Sequence, residues 1–127
     1  ENESSIYGFQ ELMDAGVYFV QPNVCRVGGP TNMRRIMTLI DLNERMFAPH
    51  SWSSIICMTA NMHLMATTRR HYMLEYDINP SAFREDLVVE PYPFKDGSYT
   101  IPDKPGFGLE PNMKTVEAHT VYSATVK

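Results

Sequence analysis

Between Ser5 and Tyr76 the chain alternates two hydrophobic rhythms, and this alternation limits the possible folds more than any other feature. Ser4-Ser5 leads a segment in which Ile6, Phe9 and Met13 fall on one helix face, and Gly16 supplies a stop. Val17 to Val20 is an unbroken apolar run, the mark of a strand buried on both faces. Gly28-Gly29 and Pro30 open a second helix, whose Met33, Ile36, Met37 and Ile40 keep the i, i+3, i+4, i+7 spacing. A second strand is expected around Met46 to Pro49. Serines in Ser51-Trp52-Ser53-Ser54 then offer a cap for a third helix, Ile55 to Thr67, and a third strand follows at Tyr72 to Tyr76. The third helix is apolar on nearly every side and should be largely buried. Helices between strands at this rhythm require crossover connections, hence an α/β fold with a parallel sheet.

Beyond Asp77 the rhythm stops. Pro80, Pro91, Pro93, Pro102, Pro105 and Pro111 exclude long helices, while Asp96-Gly97 between Tyr92-Pro93-Phe94 and Tyr99-Thr100-Ile101 signals a β-hairpin. The stretch from Met113 to Lys127 carries no motif and receives no assignment.

Composition narrows the partners. With 127 residues, 43% hydrophobic, there is material for one modest core. Eleven Lys plus Arg against 15 Asp plus Glu, without a basic run, argue against a nucleic-acid partner. No apolar stretch approaches the ~20 residues that span a bilayer, so no membrane partner is expected. Cys25 and Cys57 sit in hydrophobic segments without ligand spacing, which fits a reduced, cytoplasmic protein. The start at ENESS, without methionine, reads as an excised or processed piece.

Chemistry in parallel α/β folds gathers at the carboxyl ends of strands, where loops converge over a rigid floor. The polar residues there are Glu1, Asn23, His50 and Glu75, separated by 22, 27 and 25 positions. One unit of a (β/α)8 barrel takes roughly 30 residues, so the four fall one per unit and should face one mouth. Each has a plainer reading. Glu1 can be a mere chain end, Asn23 can tolerate an unusual backbone angle before Gly-Gly, His50 can be a structural loop histidine, and Glu75 can pair with Arg69 or Arg70. Jointly, their phase with the strands favours a site. By contrast, Met62 and His63 are expected in the core, His71 in solvent, and His119 without partners. The nine methionines read as core filler.

The ordered motifs ENESS, QPNVCRVGGPT, APHSW, MHLMA, YMLEYD and EPYPFKDGSYTIPDKPGFGLEPN resemble the C-terminal half of the mandelate racemase and muconate-lactonizing branch of the enolase superfamily, over about Glu1 to Asn112. The resemblance implies the C-terminal part of a (β/α)8 barrel (residues 1–78), followed by a Pro-rich hairpin segment returning to an α+β capping domain (79–112) and a tail (113–127). It implies Mg²⁺ as cofactor, Glu1 as one metal ligand, His50 as the catalytic histidine, and Glu75 as a hydrogen-bonding partner of the enediolate. The implied function is proton abstraction next to a carboxylate, in a sugar-acid dehydratase acting on a hydroxycarboxylate; a racemase, epimerase or cycloisomerase, or a non-catalytic homologue, are the alternatives. The other two metal ligands and a lysine base would come from a missing N-terminal part of the same protein, and a homo-oligomer is expected. Asn23 departs from the branch, which in racemases and many dehydratases places an aspartate there. An amide can still hold the His50 ring, but it has no charge to stabilise imidazolium.

Overall fold

The computed structural model describes residues 1–125. Helix α1, Ile6–Asp14, starts where Ser5 is extended and its Oγ accepts the Gly8 N–H at 3.0 Å. It ends at Ala15, and Gly16 takes a φ of 99° that favours glycine. Phe9 and Met13 are buried as their spacing requires, whereas Ile6 lies at the helix edge. Strand β1, Phe19–Val20, leads into a turn closed by Gly28 and Gly29, both at positive φ, and Pro30 then begins α2, Pro30–Leu42. All four stripe residues of α2, Met33, Ile36, Met37 and Ile40, are buried.

Strand β2, Met46–Phe47, pairs in parallel with β1, Phe19 opposite Met46 and Val20 opposite Phe47. The expected third strand is reduced to a single parallel bridge, Phe47 to His71, made by Phe47 N–H to Arg70 O (2.7 Å) and Tyr72 N–H to Phe47 O (2.9 Å). The neighbouring chain reaches Pro49, which has no N–H to give, and Tyr72 to Tyr76 carries no further ladder. Val17 to Val20 is likewise not buried on both faces. Val20 points into the core, but Tyr18 and Phe19 stay about half exposed, with Phe19 resting on Tyr72 at 4.7 Å between centroids.

Helix α3, Ile55–Met65, is capped by Ser54, whose Oγ accepts from Cys57 N–H at 3.3 Å. It is apolar all round because it is a wall shared by two cores. Cys57, Ala60 and Leu64 join the cluster formed by α1, α2 and the strands, while Ile55, Met58 and Met62 join Val88 and Tyr92 in a second. This second cluster is roofed by Leu74, Leu87, Tyr99, Ile101 and Leu109.

The region beyond Asp77 is irregular, as its prolines require. It contains one helical turn, α4 (Ala82–Glu85), and the expected hairpin of β3 (Phe94–Lys95) and β4 (Ser98–Tyr99), with Asp96 and Gly97 both at positive φ. A short helix, α5 (Met113–Ala118), occupies part of the stretch that the sequence left unassigned. His63 is half buried, not core: its Nε2 lies 2.8 Å from the Tyr92 hydroxyl, which also donates to Phe107 O. His71 is exposed, and His119 bonds its own helix at Thr115 O, 2.9 Å away. Among the described residues, no helix is long and apolar enough to cross a membrane.

Candidate active site

The register of the parallel pair sets the site. Val20 lies opposite Phe47, so the residues three positions further on, Asn23 and His50, also come side by side, and the His50 N–H donates to Pro22 O at 3.0 Å. Asn23 is buried, and its side chain starts the turn that follows. Its Oδ1 accepts the N–H of Cys25 (2.9 Å) and of Arg26 (3.3 Å). Its Nδ2 lies 2.9 Å from His50 Nδ1. Asn23 is not among the positive-φ residues, so an unusual backbone angle does not account for it.

On the other side of the ring, His50 Nε2 is 2.8 Å from Glu1 Oε2 and 3.7 Å from Glu75 Oε2. Glu1, Asn23 and Glu75 therefore converge on the His50 imidazole, beyond the carboxyl ends of β1 and β2. The His50 side chain is only 12% exposed, against 31% for Glu75 and 56% for Glu1, so polarity grades from the buried amide to the open carboxylates. Arg70 does not compete for Glu75. Its guanidinium pairs with Asp41 at 3.0 Å instead.

Three further groups hold this arrangement, and the sequence reading singled out none of them for that role. The backbone N–H of Ser51 donates to Glu75 Oε2 at 2.7 Å, so Ser51 serves the site, while Ser54 caps α3. Asn61 on α3 donates from Nδ2 to His50 O at 3.1 Å. Its signal was available: a fully buried asparagine inside the apolar run IICMTANMHLM needs a polar partner. The third is the Cys25 N–H already described. Cys25 itself is exposed rather than enclosed, while Cys57 is buried, and burial pushes its thiol up from 9.0 to about 11.

These residues do not by themselves make a Mg²⁺ site. Although Glu1, His50 and Glu75 lie close together, no three His, Cys, Asp or Glu side chains among the described residues are arranged to hold a metal ion, and Mg²⁺ demands near-octahedral oxygen ligation.

Residues 1–115 match the family model described as enolase C-terminal domain-like. The chain belongs to this family. Within the enolase superfamily it falls in the mandelate racemase and muconate-lactonizing branch, whose fold is the TIM-type barrel. It is 34% identical over 127 residues to a D-xylonate dehydratase of Haloferax volcanii, covering 99% of this chain and 31% of that protein. It is 31% identical over 115 residues to a D-galactarolactone cycloisomerase of Agrobacterium fabrum, covering 84% of this chain and 30% of that one. The crystal structure of a mandelate racemase/muconate lactonizing enzyme from Jannaschia sp. CCS1 superposes with a TM-score of 0.84 at 28% identity, covering 99% of this chain and 32% of its own. This enolase-family chain thus spans about a third of the length of the relatives it matches.

Proposed function

We propose that the intact protein is a sugar-acid dehydratase, which removes the proton next to a carboxylate and expels the β-hydroxyl as water. The observation that carries this reading is the convergence of Glu1, Asn23 and Glu75 on His50, in a chain similar to a D-xylonate dehydratase. Loss of the α-proton leaves an enediolate, and its electron pair then expels the β-oxygen, so charge must be met first at the carboxylate and then at the leaving oxygen. Glu75, kept in place by Ser51 N–H, is the side chain we place against the enediolate. His50 Nε2 is the group we place against the leaving oxygen, with Asn23 fixing the ring from behind, and the proton that completes the departing water comes from an acid outside this chain.

The α-proton itself would be taken by a base outside this chain. Enzymes of the superfamily use Mg²⁺; we assign Glu1 as one of its ligands, the remaining donors also lying outside this chain. In the same reading, residues 1–78 complete the barrel, 79–112 return to a capping domain and 113–127 form a tail. The free thiols Cys25 and Cys57 suit a reducing cytoplasm. The intact protein is also expected to self-associate, which light scattering would measure.

The test is an assay of the intact protein with Mg²⁺ against a panel of aldonic and aldaric acids, following formation of 2-keto-3-deoxy acids. Turnover of one or more of them is expected. Isomerisation of a sugar-acid lactone without loss of water would instead favour a cycloisomerase, the reading to which similarity with the D-galactarolactone enzyme points. Inactivity on both substrate classes would leave a non-catalytic homologue.

A further inference from the structure

We propose that Asn23 fixes His50 as the tautomer with its hydrogen on Nε2, so that the ring offers the mouth a hydrogen-bond donor and not a basic lone pair. The inference rests on the preceding reading only in taking His50 to face the substrate. Its starting point is the orientation of one amide. Asn23 Oδ1 lies 2.9 Å from the Cys25 N–H and 3.3 Å from the Arg26 N–H. Backbone N–H groups are donors at any pH, so an oxygen must face them. Turning the amide over would set its NH₂ against both and leave two backbone donors opposed.

The other end of the amide is then NH₂, and it sits 2.9 Å from His50 Nδ1. That nitrogen has only hydrogens to give, so Nδ1 must supply the lone pair. A neutral imidazole carries one N–H, which is therefore on Nε2. The groups around Nε2 agree: both are carboxylate oxygens, Glu1 Oε2 at 2.8 Å and Glu75 Oε2 at 3.7 Å, and both accept. The backbone of His50 is held on both sides, its N–H by Pro22 O and its carbonyl by Asn61 Nδ2 at 3.1 Å.

The chemistry of position 23 follows from its side chain. A carboxylate there would accept from Nδ1–H and leave Nε2 as a lone pair able to take a proton. The amide reverses this. His50 becomes a neutral donor of the kind that polarises a substrate oxygen, and Asn23 becomes the positioning residue that makes it one. The ring then supports the carboxylate or the departing β-oxygen by a hydrogen bond, and α-proton abstraction falls to a base outside this chain. Substrates that require abstraction from the face of His50 should not react.

The test is a long-range ¹H–¹⁵N correlation spectrum of the intact protein, labelled with ¹⁵N-histidine, at about pH 8, above the usual range of imidazole protonation. Signals of His50 are assigned by their loss in His50→Gln. The hydrogen is expected on Nε2 with Mg²⁺ present or absent, since the argument lies on the Nδ1 side of the ring. Asn23→Asp, which keeps an oxygen for the two backbone N–H groups, should place a hydrogen on Nδ1. The same variant should gain solvent-deuterium exchange at the substrate α-carbon by about tenfold or more, as expected when a donor is converted to a general base. A hydrogen on Nδ1 of the unaltered protein, or no change in Asn23→Asp, overturns the proposal. Absence of dehydration activity would defeat the functional reading while leaving the tautomer result to stand by itself.

Discussion

Residues 6–66 bury apolar surface by laying helices with periodic stripes on parallel strands, whereas residues 86–111 wrap a hairpin and proline-rich loops over the far side of α3. The first region converts sequence phase into position: register carries Asn23 and His50 to one point. The second has no such relay. Its buried members are Val88, in an isolated antiparallel bridge to Pro111, and Tyr92, whose hydroxyl lies between His63 and Phe107. Regular structure can therefore aim side chains, while irregular structure here closes a core. All four candidate functional residues precede Asp77: Asn23 and His50 lie within the first region, and Glu1 and Glu75 flank it.

The comparison can be broken most forcefully at Phe47, which is fully buried and ties β2 to both β1 and His71. Phe47→Ala should cost about 3–5 kcal/mol, measured by urea unfolding. A loss under about 1 kcal/mol would mean that the parallel array is not what holds the first region.

The next effect concerns function. His50→Gln in the intact protein should lower kcat by about 10²–10³, the usual consequence of losing one hydrogen-bond donor aimed at developing charge, with little change in the denaturation midpoint. Steady-state kinetics beside unfolding curves would check it. Unaltered kcat would remove His50 from the chemistry.

Tyr92→Phe sharpens the contrast from the other side. It leaves the His63 ring and Phe107 carbonyl without their partner and should cost about 1–3 kcal/mol, while kcat stays essentially unchanged. Hydrogen exchange should quicken in residues 87–111 before it does in α2. Uniform loss of protection would show that the two cores unfold as one unit.

The smallest effect is a pH dependence at the wall between them. Burial raises the Cys57 thiol from 9.0 to about 11, so its neutral form is favoured in the folded state. The associated stability is fully present below about pH 9 and is lost as pH rises through about 11. Thermal unfolding from neutral pH upward should show this decline, and Cys57→Ala should flatten it. Equal slopes in both proteins would place the alkaline loss elsewhere, with Tyr99, which burial also pushes up to about 12, as the other candidate.

Local chemistry alone determined several features: the caps at Ser5 and Ser54, the buried face of α2, the Asp96-Gly97 turn, and the one-per-unit phase of Glu1, Asn23, His50 and Glu75. These depend on residues a few positions apart or on a repeat that sequence preserves. Tertiary structure decided what periodicity cannot encode. It gave α3 a core on each side, left Tyr18 and Phe19 half exposed, and shortened the third strand to one bridge at His71. It also sent Arg70 to Asp41, leaving Glu75 to Ser51 and His50, and brought Asn61 under the His50 carbonyl. The physical reason is that a pattern of apolar residues states how much surface must be hidden, while the partner that hides it, or satisfies a buried donor, is chosen by groups brought together only when distant segments pack.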